Sequence, residues 1–149
     1  MQTALPQKEG AGLREFVVID SSAVLKWFFR QDEESDDLAI RAREEHLNYK
    51  IALCAPELIY FEVINIMLFR IQNEKLLTNN LKSLLLANIE IFYQTKESLI
   101  ATARLAKKHG LTFYDSSYLY HVIENNLKLL TYDRKLLDAA ISEGVKIYD

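Results

Sequence analysis

Residues 111–149 read LTFYDSSYLYHVIENNLKLLTYDRKLLDAAISEGVKIYD, and this stretch decides the fold. Thr112 opens a helix that runs to about Asn125 and Asn126, 128–131 is a short apolar strand, and 133–142 is a second helix closed by Gly144. Residues 145–148 read as a final strand. Strands alternating with helices need crossover connections, and those imply a parallel sheet.

The same alternation continues towards the amino terminus. Thr95 caps a helix over 96–109, which ends on Lys107, Lys108, His109 and Gly110, the residue types a helix carboxyl end favours. The run IEIFY at 89–93 is strand-like, and a helix from about Thr78 precedes it. Before that, ELIYFEVINIMLFRIQNE (57–74) reads as one long apolar helix, with Pro56 as a first-turn residue. Residues 51–54 are a strand candidate, QDEESDD (31–37) opens a charged helix through about His46, and 21–29 reads as a helix. FVVI at 16–19 has the β-branched, continuous apolar character of a buried strand. The expectation is an α/β fold: a three-layer α/β/α sandwich on a central, mostly parallel sheet of about five strands. Residues 1–15 read as an N-terminal extension, and 16–149 as the single domain.

Composition narrows the function classes. The 149 residues are 50% hydrophobic and 26% charged, too apolar for a disordered segment and too evenly charged for a membrane span. A lone Cys54 excludes an intrachain disulfide framework and a cysteine-built zinc site, and it suits a reducing, cytoplasmic setting. The opening residues lack the order of a secretory signal. Eighteen Lys and Arg against 21 Asp and Glu leave a net charge of −3, which argues against a surface that attracts nucleic acid everywhere and leaves room for a local basic patch. P-loop, GxGxxG, GxSxG, HExxH and CxxC motifs are absent.

In open parallel sheets ligands bind beyond the carboxyl ends of the strands. Asp20 immediately follows FVVI, and Asp133 closely follows KLLT. Asp115 begins a helix about 15 Å long, and the strand after it returns about 16 Å, so Asp115 and Asp133 are expected on one rim. Glu62 stands among Leu58, Ile59, Asn65 and Ile66 on an apolar helix face, where a carboxylate needs a partner from elsewhere in the fold. Converging carboxylates raise one another's pKa unless a cation neutralises them, and an all-oxygen set favours Mg²⁺ or Mn²⁺. Such a site can polarise a phosphodiester and align a water for in-line attack.

Each residue also has a plainer reading. Asp20, Asp115 and Asp133 can all serve as helix caps or first-turn acids, Asp115 through a Thr112-x-x-Asp115 box. Ser22 and Thr131 each lie two residues from an aspartate, and either orient its carboxylate or simply cap a helix themselves. His46, His109 and His121 are expected in surface or dipole roles rather than as ligands. Tyr114, Tyr118 and Tyr120 are expected to fill core and rim positions, and Trp27, Phe28 and Phe29 a core or dimer contact. DEESDD (32–37) reads as a solvated helix start.

Four segments together resemble the PIN domain, specifically the VapC-type toxin ribonucleases, over roughly residues 16–148. VVIDSSAVLKWF is similar to the family's opening strand, with Asp20 the first metal acid and Ser22 the adjacent hydroxyl. PELIYFEVINIM resembles its second motif, with Glu62 and, one turn on, Asn65. LTFYDSSYLY resembles the third, with Asp115, and LLTYDRKL the fourth, with Thr131 and Asp133. The resemblance implies a Mg²⁺- or Mn²⁺-dependent endoribonuclease acting on RNA, often a homodimer, held inactive by a small VapB-like antitoxin. Asp20, Glu62, Asp115 and Asp133 would hold one or two ions, directly or through waters. Lys26, Arg30 and Arg134 lie near the motifs and are candidate phosphate contacts. Two other classes compete: a catalytically silent PIN fold that holds a protein partner in its acidic groove, and a receiver-like phosphoacceptor. The second of these wants an acidic pair where Asp20 is followed by Ser21 and Ser22.

Overall fold

Val17, Val18 and Ile19 are completely buried, as a β-branched run does when helices cover both faces of its sheet. They belong to β1 (Glu15–Ile19), the central strand of a five-stranded sheet in the computed structural model, which describes residues 14–30 and 33–149. The expected extension, apart from its last two residues, and most of the acidic run 32–37 lie outside the residues whose side chains are described. The chain continues through α1 (Ser21–Leu25), α2 (Glu33–Leu47), β2 (Ile51–Pro56), α3 (Leu58–Arg70) and α4 (Glu74–Leu86). It ends with β3 (Glu90–Phe92), α5 (Lys96–His109), α6 (Phe113–Glu124), β4 (Lys128–Leu130), α7 (Arg134–Ser142) and β5 (Lys146–Ile147).

Strand order is β3-β2-β1-β4-β5, and every pairing is parallel. The α/β sandwich is therefore as expected, with a wholly rather than mostly parallel sheet. From β1 the chain first steps outward through β2 to β3, then crosses back to β4 and β5 on the other side. Right-handed crossovers then put α1–α4 on one face and α5–α7 on the other. The direction reverses between β1 and β4, the switch point at which such sheets open a crevice. The Asp20 amide donates to the Leu130 carbonyl at 3.3 Å, which carries the β1–β4 pairing to the ends of both strands.

Four local readings are corrected. Pro56 closes β2 opposite Phe92 instead of opening a helix; at a strand's last residue its missing N–H interrupts little of the ladder. The long helix expected over 57–74 stops at Arg70, where Ile71 turns extended and buries its side chain. Asn73 then caps α4 by accepting from the Leu76 amide at 2.9 Å, so that helix starts at Glu74 rather than near Thr78. The helix expected over 21–29 ends at Leu25, and the Lys26, Trp27 and Phe28 amides bond three residues back in tight turns. Trp27 anchors this turn by donating Nε1–H to the Ala39 carbonyl at 3.0 Å.

Two histidines expected at the surface are interior. His46 takes the Leu53 amide on Nδ1 at 3.0 Å and reaches the Ala87 carbonyl with Nε2 at 2.6 Å, joining α2, β2 and the end of α4. His121 stacks on Phe92 with ring centroids 4.7 Å apart, and its Nε2 meets the Gln94 amide nitrogen at 3.1 Å. Burial pushes the His121 pKa down to about 4, so the neutral ring belongs to the fold and unfolding lets it take a proton. Its contribution is present above the ordinary histidine range and is lost as pH falls from about 6.5 to about 4. The expected loss is of order 3 kcal/mol, from about 1.4 kcal/mol per pKa unit. Urea unfolding at pH 7 and pH 4 should therefore show a smaller acid loss in His121→Phe than in the parent, and equal losses would refute this.

Candidate active site

Asp20 is the first residue after β1, and the switch point puts it beside the end of β4. Ser22 donates to its Oδ1 at 2.6 Å, the Ala23 amide donates to the same oxygen at 3.1 Å, and Thr131 donates to Oδ2 at 2.5 Å. A carboxylate has about four acceptor sites, so three are filled from within the protein. Asp20 is 3% exposed, and desolvation, helped by the charge of Asp133, pushes its pKa up to about 6 despite those three donors.

The other acids follow in a chain of mutual repulsion. Asp133 caps α7 by accepting from the Leu136 amide at 2.8 Å, and its own amide donates to Thr131 at 2.9 Å. Asp115 lies in the first turn of α6, where Thr112 caps the helix through the Asp115 amide at 3.1 Å. Desolvation and then Asp133 raise the Asp115 pKa, while Thr112 and the charge of Lys135 pull it back. Half-buried Glu62 is raised by desolvation and then by Asp115, against the Tyr118 hydrogen bond and the nearby Ser21 hydroxyl, which pull it down. The four acids thus run Asp20, Asp133, Asp115, Glu62, each within electrostatic reach of the next. Asp20 and Asp133 cap α1 and α7 and Asp115 stands in the first turn of α6, so each of the three has a helix-terminal role as well as its place in this run.

Ser22 and Thr131 both turn to Asp20, Thr131 across a sequence separation of 111 residues. Asn65 is not brought in: it is exposed on α3 and hydrogen-bonds to none of the four acids. Lys26 lies over the Tyr132 ring at 5.3 Å, Arg30 pairs with Asp37 at 3.0 Å and Arg134 with Asp138 at 3.3 Å. Lys135, which no motif singled out, is the cation that acts on Asp115. Tyr114, expected at core or rim, is 60% exposed, whereas Tyr118 is buried and donates to Glu62 Oε1 at 2.7 Å. The partner that Glu62 requires is therefore a phenol three residues after Asp115, a spacing that one helical turn makes a same-face pair.

Among the described residues no three His, Cys, Asp or Glu side chains converge tightly enough to ligate one ion together. Mg²⁺ commonly takes only one or two carboxylates and completes its shell with waters and substrate phosphates, so oxygen donors spaced along a rim fit it. Carboxylates whose pKa values are raised by burial and by one another are also those a cation would relieve.

Fold and site define an all-parallel α/β protein with a run of acidic side chains at its topological switch point. Residues 17–142 match the PIN domain model, and the chain belongs to the PIN domain family. It is similar to PAE2754 from Pyrobaculum aerophilum, with 27% identity and a TM-score of 0.57 over 85% of this chain and 87% of that one. It also resembles FitAcB from Neisseria gonorrhoeae in fold, with 16% identity and a TM-score of 0.62 over 89% and 96% of the two chains. No curated protein matches it in sequence. Among the described residues no helix is long and apolar enough to cross a membrane.

Proposed function

We propose that this chain is a Mg²⁺- or Mn²⁺-dependent endoribonuclease, the toxin of a toxin–antitoxin pair, with Asp20, Glu62, Asp115 and Asp133 as its metal-holding acids. The observation that carries this reading is Asp20: a buried carboxylate at the switch point of a PIN domain, clamped by Ser22, Ala23 and Thr131 beside a second acid. When bound there, the ion polarises the phosphoryl group and lowers the pKa of the attacking water. Asp20 does not have to reorganise to receive it, because three donors already fix its orientation. Glu62 on α3, Asp115 on α6 and Asp133 at the cap of α7 would complete the set that holds it. Lys26, Arg30 and Arg134 are proposed phosphate contacts on its flanks.

The partners proposed are an RNA substrate, a small VapB-like antitoxin and a second copy of the chain. Phe61, Leu68 and Phe69 on α3 are 66%, 58% and 80% exposed, an apolar stripe that suits a dimer. A cytoplasmic setting is in keeping with the buried, free Cys54.

Mn²⁺ should raise the thermal midpoint of the full chain, by the equivalent of about 2.7 kcal/mol at 100 times its dissociation constant, and a chelator should reverse the rise. The same Mn²⁺ should switch on cleavage of single-stranded RNA. Absence of both responses in clean protein would remove the enzyme reading and favour the silent binding module.

A further inference from the structure

Tyr118 is 1% exposed, and a phenol that deep must find an acceptor. The acceptor it takes is a carboxylate: its hydroxyl donates to Glu62 Oε1 at 2.7 Å. The Ser21 hydroxyl lies close enough to both groups to pull their pKa values down. These three side chains come from α1, α3 and α6. Ser21 is the neighbour of Asp20, and Tyr118 sits one turn after Asp115 on the same helix. One small cluster therefore links the segments that carry Asp20, Glu62 and Asp115.

A glutamate has three rotatable torsions, and its terminal one is broad and roughly two-fold. On an apolar helix face little else would hold such a side chain in one rotamer. A hydroxyl on Oε1 pins the plane of the carboxylate and leaves Oε2 without a protein hydrogen bond among the described residues. We propose that Tyr118 is a positioning residue for metal binding: its hydroxyl orients Glu62 and ties that carboxylate to the helix of Asp115, so that both acids meet one cation in a set arrangement. This rests on the metal-dependent reading above. Partners of this kind, one step removed from a metal, typically change affinity or activity by about 10–100-fold when lost.

The test is calorimetric titration of Mn²⁺ into the full-length parent, Tyr118→Phe, Glu62→Gln, their double variant and Asp20→Asn. Phe keeps the ring and its packing, so Tyr118→Phe removes only the hydroxyl. It should bind Mn²⁺ about 10–100-fold more weakly, and the double variant no more weakly than Glu62→Gln alone. Ser21→Ala, which removes the second hydroxyl that acts on Glu62, should also weaken binding and serves if Tyr118→Phe does not fold. A purely structural phenol would leave affinity within about twofold of the parent, or add its full effect on top of Glu62→Gln; either result overturns the proposal. If Asp20→Asn and Glu62→Gln lose binding while Tyr118→Phe and Ser21→Ala keep it, the positioning role alone fails. If the parent binds no Mn²⁺, the metal-dependent reading fails and this one with it.

Discussion

Asp20→Asn is expected to abolish Mn²⁺-dependent RNA cleavage, by about 1,000-fold or more, and to make the metal-free protein more stable. The first effect follows from losing an ionised ligand at the centre of the site: a bound cation supplies several kcal/mol to the transition state, at about tenfold per 1.4 kcal/mol. The second comes from the burial that raises this carboxyl to about 6. A folded-state pKa above the unfolded value means that the protonated form stabilises the fold. That stability is full below about 3.8 and lost as pH rises through about 6, so at pH 7.5 the ionised carboxylate weakens the metal-free fold by at most about 3 kcal/mol. An amide has no charge to bury. Its NH₂ must nonetheless face Ser22 or Thr131, hydroxyls that can turn to accept, so a gain of about 1–2 kcal/mol is the expected net. Chemical denaturation in chelator should show the variant ahead of the parent at pH 7.5 and behind it, by about 1 kcal/mol, near pH 4, where the parent's carboxyl is protonated and only the cost of the amide remains. Undiminished cleavage by the purified variant would refute the catalytic assignment, and lower stability at pH 7.5 would refute the account of its burial.

His46→Ala is expected to remove about 3–5 kcal/mol of stability. His46 is 8% exposed, and its imidazole bridges two backbone groups, the Leu53 amide and the Ala87 carbonyl. β3 begins only at Glu90, opposite Cys54, so Leu53 precedes that ladder and its amide uses the ring as a substitute partner. Deleting the ring strands a donor and an acceptor at about 1–3 kcal/mol each and leaves a cavity as well. At about 2–4 °C per kcal/mol for a chain of this size, the thermal midpoint should fall by roughly 10 °C. A loss below about 1 kcal/mol in urea unfolding would mean that water replaces the imidazole without penalty.

The α/β alternation was legible because its signals are local. Thr95 accepts from the Ser98 amide at 3.0 Å and Gly110 adopts φ +64°, both as their residue types foretell. The breaks within apolar stretches were not legible. Periodicity carries 57–74 as one helix, yet burial of Ile71 and the Asn73 cap divide it, and the gain from burying Ile71 appears only when the neighbouring elements are in place. Pro56 has a local preference for a helix start, and the parallel partner Phe92 claims it for a strand instead. A single imidazole carries no periodic signal, so nothing local marks His46 and His121 as interior; their partners lie 7 to 41 residues away.

By itself the sequence determined that strands alternate with helices and that Asp20, Asp115 and Asp133 stand where elements begin or end. Capping and periodicity are settled within a turn or two of chain, and these are such properties. Only the tertiary structure decided that Thr131 turns to Asp20 rather than to Asp133's carboxylate, and that Glu62 finds its partner in Tyr118. Those contacts depend on β4 lying beside β1 and on α6 meeting α3. Strand order is set by the burial of the whole core, and no short stretch of the chain contains it.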